Sequence, residues 1–159
     1  MDITTQNIEL RYLSEQFYLE VAPYLKEILL KGTRPYCVLL VQVKNLDFAL
    51  PLRSNLPQRE GVGIKTIPNP DEEGRFKGVD FSKAILLTDK SYLKTDKVQL
   101  KNKSELLNIQ GNERKIVREF KKYVSEYITA IKNSSTLDKK FEYTTLINYH
   151  VELKISQPE

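Results

Sequence analysis

Arg34, Arg53, Ser54 and Asn55 are the residues whose types and spacing best suit chemistry. Arg34 stands just ahead of the apolar run YCVLLVQV, and Pro51-Leu52-Arg53-Ser54-Asn55 closes the run after it. If the two runs pair as a hairpin, their outer ends meet at one edge of a sheet. Two guanidiniums brought together there repel each other unless an anion or carboxylates hold them. The Ser54 hydroxyl and the Asn55 amide add a donor and a mixed donor–acceptor, both suited to phosphate or base contacts. A hairpin end with solvent-facing arginines fits the same residues, and composition alone does not separate the two readings.

Other chemistries are poorly supplied. One His and one Cys cannot make a clustered zinc site. Asp71-Glu72-Glu73 reads as a solvated turn without the spacing of a metal loop. No phosphate-cradling glycine loop or dinucleotide fingerprint is present. Cys37 lies inside an apolar run and reads as a buried, inert thiol. His150, in LINYHVELK, reads as part of an ordinary closing element. No cofactor is expected. The lysines of KSYLKTDKVQLKNK (90–103) can track a phosphate backbone with Tyr92 as a stacking ring, or can be a solvated loop. The basic residues Arg114, Arg118 and Lys121 on the long helix carry the same ambiguity.

These residues need a frame. The chain has 159 residues, 40% hydrophobic and 29% charged, which suits one soluble domain over 1–159 with one core. The charge is +4 with a pI near 9.0, compatible with a polyanion partner. No run approaches the roughly 20 apolar residues of a membrane helix, and the N-terminus lacks a signal-peptide pattern. A single cysteine fits the reducing cytoplasm.

Apolar spacing at Leu10, Leu13, Phe17 and Val21 predicts a helix over about 9–22, then a short one over 24–31. Strands are expected at 36–43 and 48–52 around a turn at 44–47, and a loop over 53–63. Further strands are expected at 64–68 and 79–88, with a charged turn over 69–78 between them. Residues 89–103 read as irregular, with an extended piece near 97–100. Ser104 is placed to cap a helix over 105–109. The clearest element is an amphipathic helix over 112–133, with Ile116, Phe120, Tyr123, Val124, Tyr127, Ile128 and Ile131 on one face. A short helix or strand closes the chain. The class is α+β, with an antiparallel or mixed sheet.

RPYCVLLVQVKNLDFALPLRSN resembles the core of the ToxN/AbiQ family, the toxins of type III toxin–antitoxin systems. Pro51-Leu52-Arg53-Ser54 stands where that family has a Pro-Leu-x-Ser signature, and the form with Asn55 looks most like the CptN branch. Specific matching is confined to about residues 34–55. The resemblance implies a compact barrel-like sheet flanked by helices, similar to the toxins Kid and MazF. It implies an endoribonuclease toxin with a part in phage defence, acting on cellular mRNA. It also implies inhibition by a short pseudoknot antitoxin RNA, cut by the toxin from its repeated precursor and bound in a closed protein–RNA assembly. DNA and membranes are not expected partners.

By the same resemblance, Arg34, Arg53, Ser54 and Tyr12 are the expected catalytic residues. Tyr36, Asn55, Arg59, Lys65, Lys94, Lys97, Lys101, Arg114, Arg118 and Lys121 are the expected RNA contacts. The family's further basic residue or histidine soon after the signature has no direct match here, and Arg59 or Lys65 stands in its place. Cleavage would use the substrate's 2′-OH without a metal, leaving a 2′,3′-cyclic phosphate and a 5′-OH. Arginines suit the phosphate and are too strongly basic to move its protons. Tyr12, Tyr36 and Lys65 are the candidates for proton transfer. A non-catalytic RNA-binding or scaffold protein would use the same basic edge without cleavage.

Overall fold

The computed structural model describes residues 9–29, 36–96, 98, 100 and 102–155. The expected positions Arg34, Lys97 and Lys101 lie outside them. The strands are β1 (Glu9–Tyr12), β2 (Cys37–Val43), β3 (Leu46–Arg53), β4 (Gly63–Pro68), β5 (Phe76–Asp80) and β6 (Ile85–Leu86). The helices are α1 (Glu15–Glu20), α2 (Lys103–Gly111) and α3 (Glu113–Lys132). All pairings are antiparallel, in the order β1-β2-β3-β5-β4, with β6 beside β3. The α+β class with flanking helices is as expected. Among the described residues the sheet is antiparallel, one of the two forms expected, and is not closed into the expected barrel.

β3 is the spine. β2 runs along one side of it through the register Val38↔Pro51 to Val43↔Leu46. On its other side β6 pairs with Phe48 and Ala49, and β5 pairs with Leu52 and Arg53. The hairpin joining β2 and β3 turns on two residues, Lys44 and Asn45, with φ of 53° and 65°. Two consecutive positive φ values make the turn whose twist matches paired strands.

Period-two alternation sends the two faces of the sheet into two cores. Leu39, Val41, Phe48 and Leu50 pack with Ile116, Phe120, Tyr123, Val124 and Tyr127 of α3. Phe48 meets Phe120 edge-on at 5.3 Å. Each such fully buried large side chain stabilises the fold by about 1.5–3 kcal/mol. The opposite face buries Val38 and Ala49 against Leu13, Phe17, Ala22 and Ile85.

Several sequence expectations are corrected. Residues 9–12 are an edge strand, and the helix begins only after Ser14, whose hydroxyl accepts from the Phe17 amide at 3.3 Å. Leu10 and Leu13 are three apart, which suits a helix, but here Leu10 packs on one core and Leu13 lies in the other. Residues 25–29 form no helix; a 3-10 turn over Ala22–Tyr24 precedes them. The strand expected over 79–88 is two strands broken by a 3-10 turn at Phe81–Lys83. Asn102, not Ser104, caps α2, accepting from the amides of Ser104 and Glu105. The closing element is a pair of 3-10 turns, Lys139–Phe141 and Thr145–Asn148.

Candidate active site at the end of β3

Arg53 is the last residue of β3 and stands opposite Gly78 of β5, which stands opposite Lys65 of β4. In antiparallel strands directly opposed residues share a face. Arg53 and Lys65 therefore rise on the same side of the sheet with no side chain between them. Asp80 lies two residues beyond Gly78 and shares that side. Leu56 fills the bare strip: a Cβ on Gly78 would meet Leu56 Cδ2 at 2.8 Å and the Ile64 carbonyl oxygen at 2.5 Å.

Asp80 is fully buried. Arg53 Nη1 donates to Asp80 Oδ2 at 2.7 Å. Ser82 donates to Asp80 Oδ1 twice, from its amide at 2.9 Å and its hydroxyl at 2.6 Å. A buried carboxylate needs such partners, since leaving it alone costs several kcal/mol. The guanidinium keeps part of its surface in solvent, with 24% of the side chain exposed. Its direction is thus set from below while its outer edge faces the surface.

Lys83 extends the cluster. Its ammonium donates to the carbonyls of Glu27 at 2.9 Å and Tyr143 at 2.8 Å, and lies 3.6 Å from the Glu27 carboxylate. Burial pulls it below the ordinary lysine value, against the opposing pull of the Glu27 and Asp80 carboxylates. Arg59 Nη2 donates to the Glu142 carbonyl at 3.4 Å, and its guanidinium lies 5.7 Å from the Tyr143 ring centre. Arg59 Nε is buried and has no acceptor among the described residues. An orphaned donor of this kind costs about 1–3 kcal/mol, so stability alone does not favour the placement.

A cleft of about 380 Å³ opens beside this cluster, lined by residues 56–65 and by Lys115 of α3. It gathers Arg59, Lys65 and Lys115 around one acidic residue, Glu60. The Lys65 ammonium lies 4.6 Å from the Phe76 ring centre. With Arg53 next to it, this is a cationic surface suited to phosphates.

The other expected residues sit as follows. Ser54 follows Arg53 directly and is exposed; its carbonyl accepts from Asn69 Nδ2 at 3.1 Å. Asn55 is committed at both ends of its amide, donating to Glu72 Oε2 at 2.7 Å and accepting from Asn69 Nδ2 at 2.6 Å. Tyr12 pairs with Cys37, whose neighbour Val38 pairs with Pro51, so Tyr12 falls in the cross-strand row of Leu52. Arg53 is in the next row, so Tyr12 and Arg53 belong to opposite faces of the sheet. The Tyr36 amide donates to the Tyr18 hydroxyl at 3.2 Å. Lys94 lies along β1, its amide donating to the Tyr12 carbonyl at 2.8 Å. Arg114, Arg118 and Lys121 are exposed on α3.

Asp80, Lys83, Lys115 and Tyr143 were not expected from the sequence. Asp80-Phe81-Ser82 carries a legible sign, an Asp capping a turn two residues on, and this is its local role. Nothing local to it points to Arg53, 27 residues away. Among the described residues, no three His, Cys, Asp or Glu side chains converge to hold a metal. Among them, no helix is long and apolar enough to cross a membrane.

No protein-family model and no curated protein sequence matches the chain. Among solved structures, the fold is similar to that of AbiQ, a lactococcal anti-phage endoribonuclease belonging to the type III toxin–antitoxin system. The two superpose with a TM-score of 0.63 over 93% of this chain and 99% of AbiQ, at 11% identity. The chain has the fold of AbiQ.

Proposed function

We propose that this protein is an endoribonuclease toxin of a type III toxin–antitoxin system, akin to the CptN branch. It acts in the cytoplasm on cellular mRNA. One observation carries the reading: a cationic surface at the end of β3, with Arg53 oriented by buried Asp80, on the fold of an anti-phage endoribonuclease.

The chemistry follows from the side chains. The substrate's 2′-OH attacks the adjacent phosphorus, forming the 2′,3′-cyclic phosphate as the bond to the 5′ oxygen breaks. Arg53 neutralises the charge that gathers on the phosphorane oxygens. Because Asp80 already fixes its direction, little reorganisation accompanies the reaction. Ser54, exposed beside it, adds a hydroxyl donor. Tyr12, Tyr36 and Lys65 are the candidates for proton transfer; Lys65 shares Arg53's face of the sheet, and Tyr12 stands two strands away on the other face. Arg34 adds a second positive charge ahead of β2. Lys65, Arg59 and Lys115 hold the flanking backbone, and Tyr36, Lys94, Lys97, Lys101 and the α3 cations are further candidate RNA contacts.

The same surface explains inhibition by RNA. A pseudoknot repeat retained after cleavage would cover the site and the basic flank together, closing an assembly in which RNA bridges protein to protein. Binding by phosphate neutralisation weakens steeply with salt.

The test is incubation of purified protein with its repeat precursor RNA in EDTA, followed by analysis of product ends. Discrete fragments with 2′,3′-cyclic phosphate and 5′-OH ends are expected. Tight binding with the RNA left intact would replace this reading with that of an RNA-binding scaffold.

A further inference from the structure

Tyr143 is 56% exposed and has a φ of 64°, in the left-handed region that non-glycine residues seldom occupy. Its surroundings hold it firmly. Lys83 Nζ donates to its carbonyl at 2.8 Å. The Arg59 guanidinium lies 5.7 Å from its ring centre and donates to the preceding carbonyl. The next residue, Thr144, is buried and accepts from the Tyr123 hydroxyl at 3.0 Å.

The location matters as much as the posture. Lys83, which holds the Tyr143 carbonyl, ends the 3-10 turn that Asp80 caps, and Asp80 in turn holds Arg53 at 2.7 Å. Tyr143 is thus linked to the β3 end through Lys83 and Asp80. Lys83 also holds the Glu27 carbonyl, and Asn148 bonds the Lys26 backbone from both ends of its amide. These ties fasten the 22–27 stretch, with Tyr24 84% exposed, against the 143–148 stretch. An exposed ring fixed beside a guanidinium, next to a cationic cluster, has the composition of a single-strand stacking site.

We propose that Tyr143, held against Arg59, is a stacking platform for an unpaired RNA base flanking the phosphate at Arg53 and Ser54. This rests on the ribonuclease reading above. A rigid ring loses little freedom when a base covers it, so its contribution appears as affinity. Any base has a π-face, so the platform adds affinity with little sequence preference.

The experiment uses short 2′-O-methyl oligoadenylates, which lack the nucleophile, with 2-aminopurine placed at each position in turn. Fluorescence reports stacking and titration reports affinity, while cleavage of unmodified RNA is followed in parallel. The wild-type protein should quench the probe at one or two positions. Tyr143→Phe should keep the quench. Tyr143→Leu should lose it and bind about 5- to 150-fold more weakly. Wild-type protein that cleaves RNA, with Tyr143→Leu matching its quench and affinity, overturns the platform alone. Wild-type protein that neither binds nor cleaves RNA overturns both the platform and the ribonuclease reading.

Discussion

Arg53 and Asp80 are joined across β3 and β5 at 2.7 Å, and the carboxylate is wholly buried beneath the largely covered arginine side chain. Two bonds from Ser82 complete the carboxylate's shell. The pair therefore does two things at once: it makes a buried charge tolerable, and it aims a surface cation.

Asp80→Ala removes the partner of a partly buried guanidinium and leaves two Ser82 donors unpaired. A loss of about 3 kcal/mol is expected, at the low end for a broken buried pair because Arg53 keeps some solvent. Urea denaturation measures it as a lower midpoint at similar slope. A change under about half a kcal/mol would mean that the pair carries little of the local stability.

Gly63 and Gly111 should respond oppositely to alanine. A Cβ on Gly63 would meet the Val79 carbonyl oxygen at 2.1 Å, so β4 must move from β5, at a cost of about 1–3 kcal/mol or more. A Cβ on Gly111, in the last turn of α2, would meet nothing within 4 Å. Gly111→Ala is expected to stabilise by about 0.4–1 kcal/mol. Thermal melts of the two variants should fall on either side of the wild type.

Cys37 is half-buried rather than fully buried, and it should still be a sluggish thiol. Burial, and secondarily the Glu105 carboxylate, pushes it up to about 12 from an ordinary value of 9.0. At pH 8 the folded protein then holds on the order of 10³ times less thiolate than the unfolded chain. Reaction with a disulfide reagent should be slow in buffer and fast in denaturant. Glu105→Gln should speed it modestly. Equal rates folded and unfolded would contradict the burial.

Alkaline stability follows from buried tyrosines, Tyr127 and Tyr149 among them. Burial pushes the Tyr127 and Tyr149 hydroxyls up to about 12 from 10.0. Above pH 10 the unfolded chain releases these protons while the folded protein keeps them. Their stabilisation is therefore complete below pH 10 and is lost as pH rises through about 12. Tyr127→Phe should flatten the decline in that window, though it also removes the 2.7 Å hydrogen bond with His150 Nε2. An unchanged pH profile would show that Tyr127 titrates alike in both states.

The exposed cations of α3 should set the salt dependence of RNA binding. Charge reversal at Arg114, Arg118 and Lys121 should weaken binding and reduce the log–log salt slope by roughly 0.7 for each phosphate no longer neutralised. Filter binding across a salt series measures both. An unchanged slope would remove this face from the interface.

The β2–β3 hairpin and α3 were legible because each rests on local pattern: apolar runs split by a turn, and a long 3.6-residue stripe. β1 was not, because Leu10 and Leu13 fit helical spacing while serving two different cores. The same divide runs through the site. Arg53 and Ser54 stand out by type at the end of an apolar run. Asp80, Lys83 and Tyr143 are ordinary where they stand in the sequence, and only the pairing of β3 with β5 and the docking of the closing turns bring them together. Asn55 shows the reverse: its amide looks like an RNA contact in sequence, and the fold engages it with Asn69 and Glu72.

The most direct measurement is the single-turnover rate of RNA cleavage by the wild type, Ser54→Ala and Arg53→Ala, each checked for folding by circular dichroism. Ser54 is exposed, so its alanine variant should fold as the wild type does. A loss of about 10²–10³-fold is expected for each, with RNA binding largely kept in Ser54→Ala. Undiminished cleavage in both variants would place the chemistry elsewhere than the end of β3.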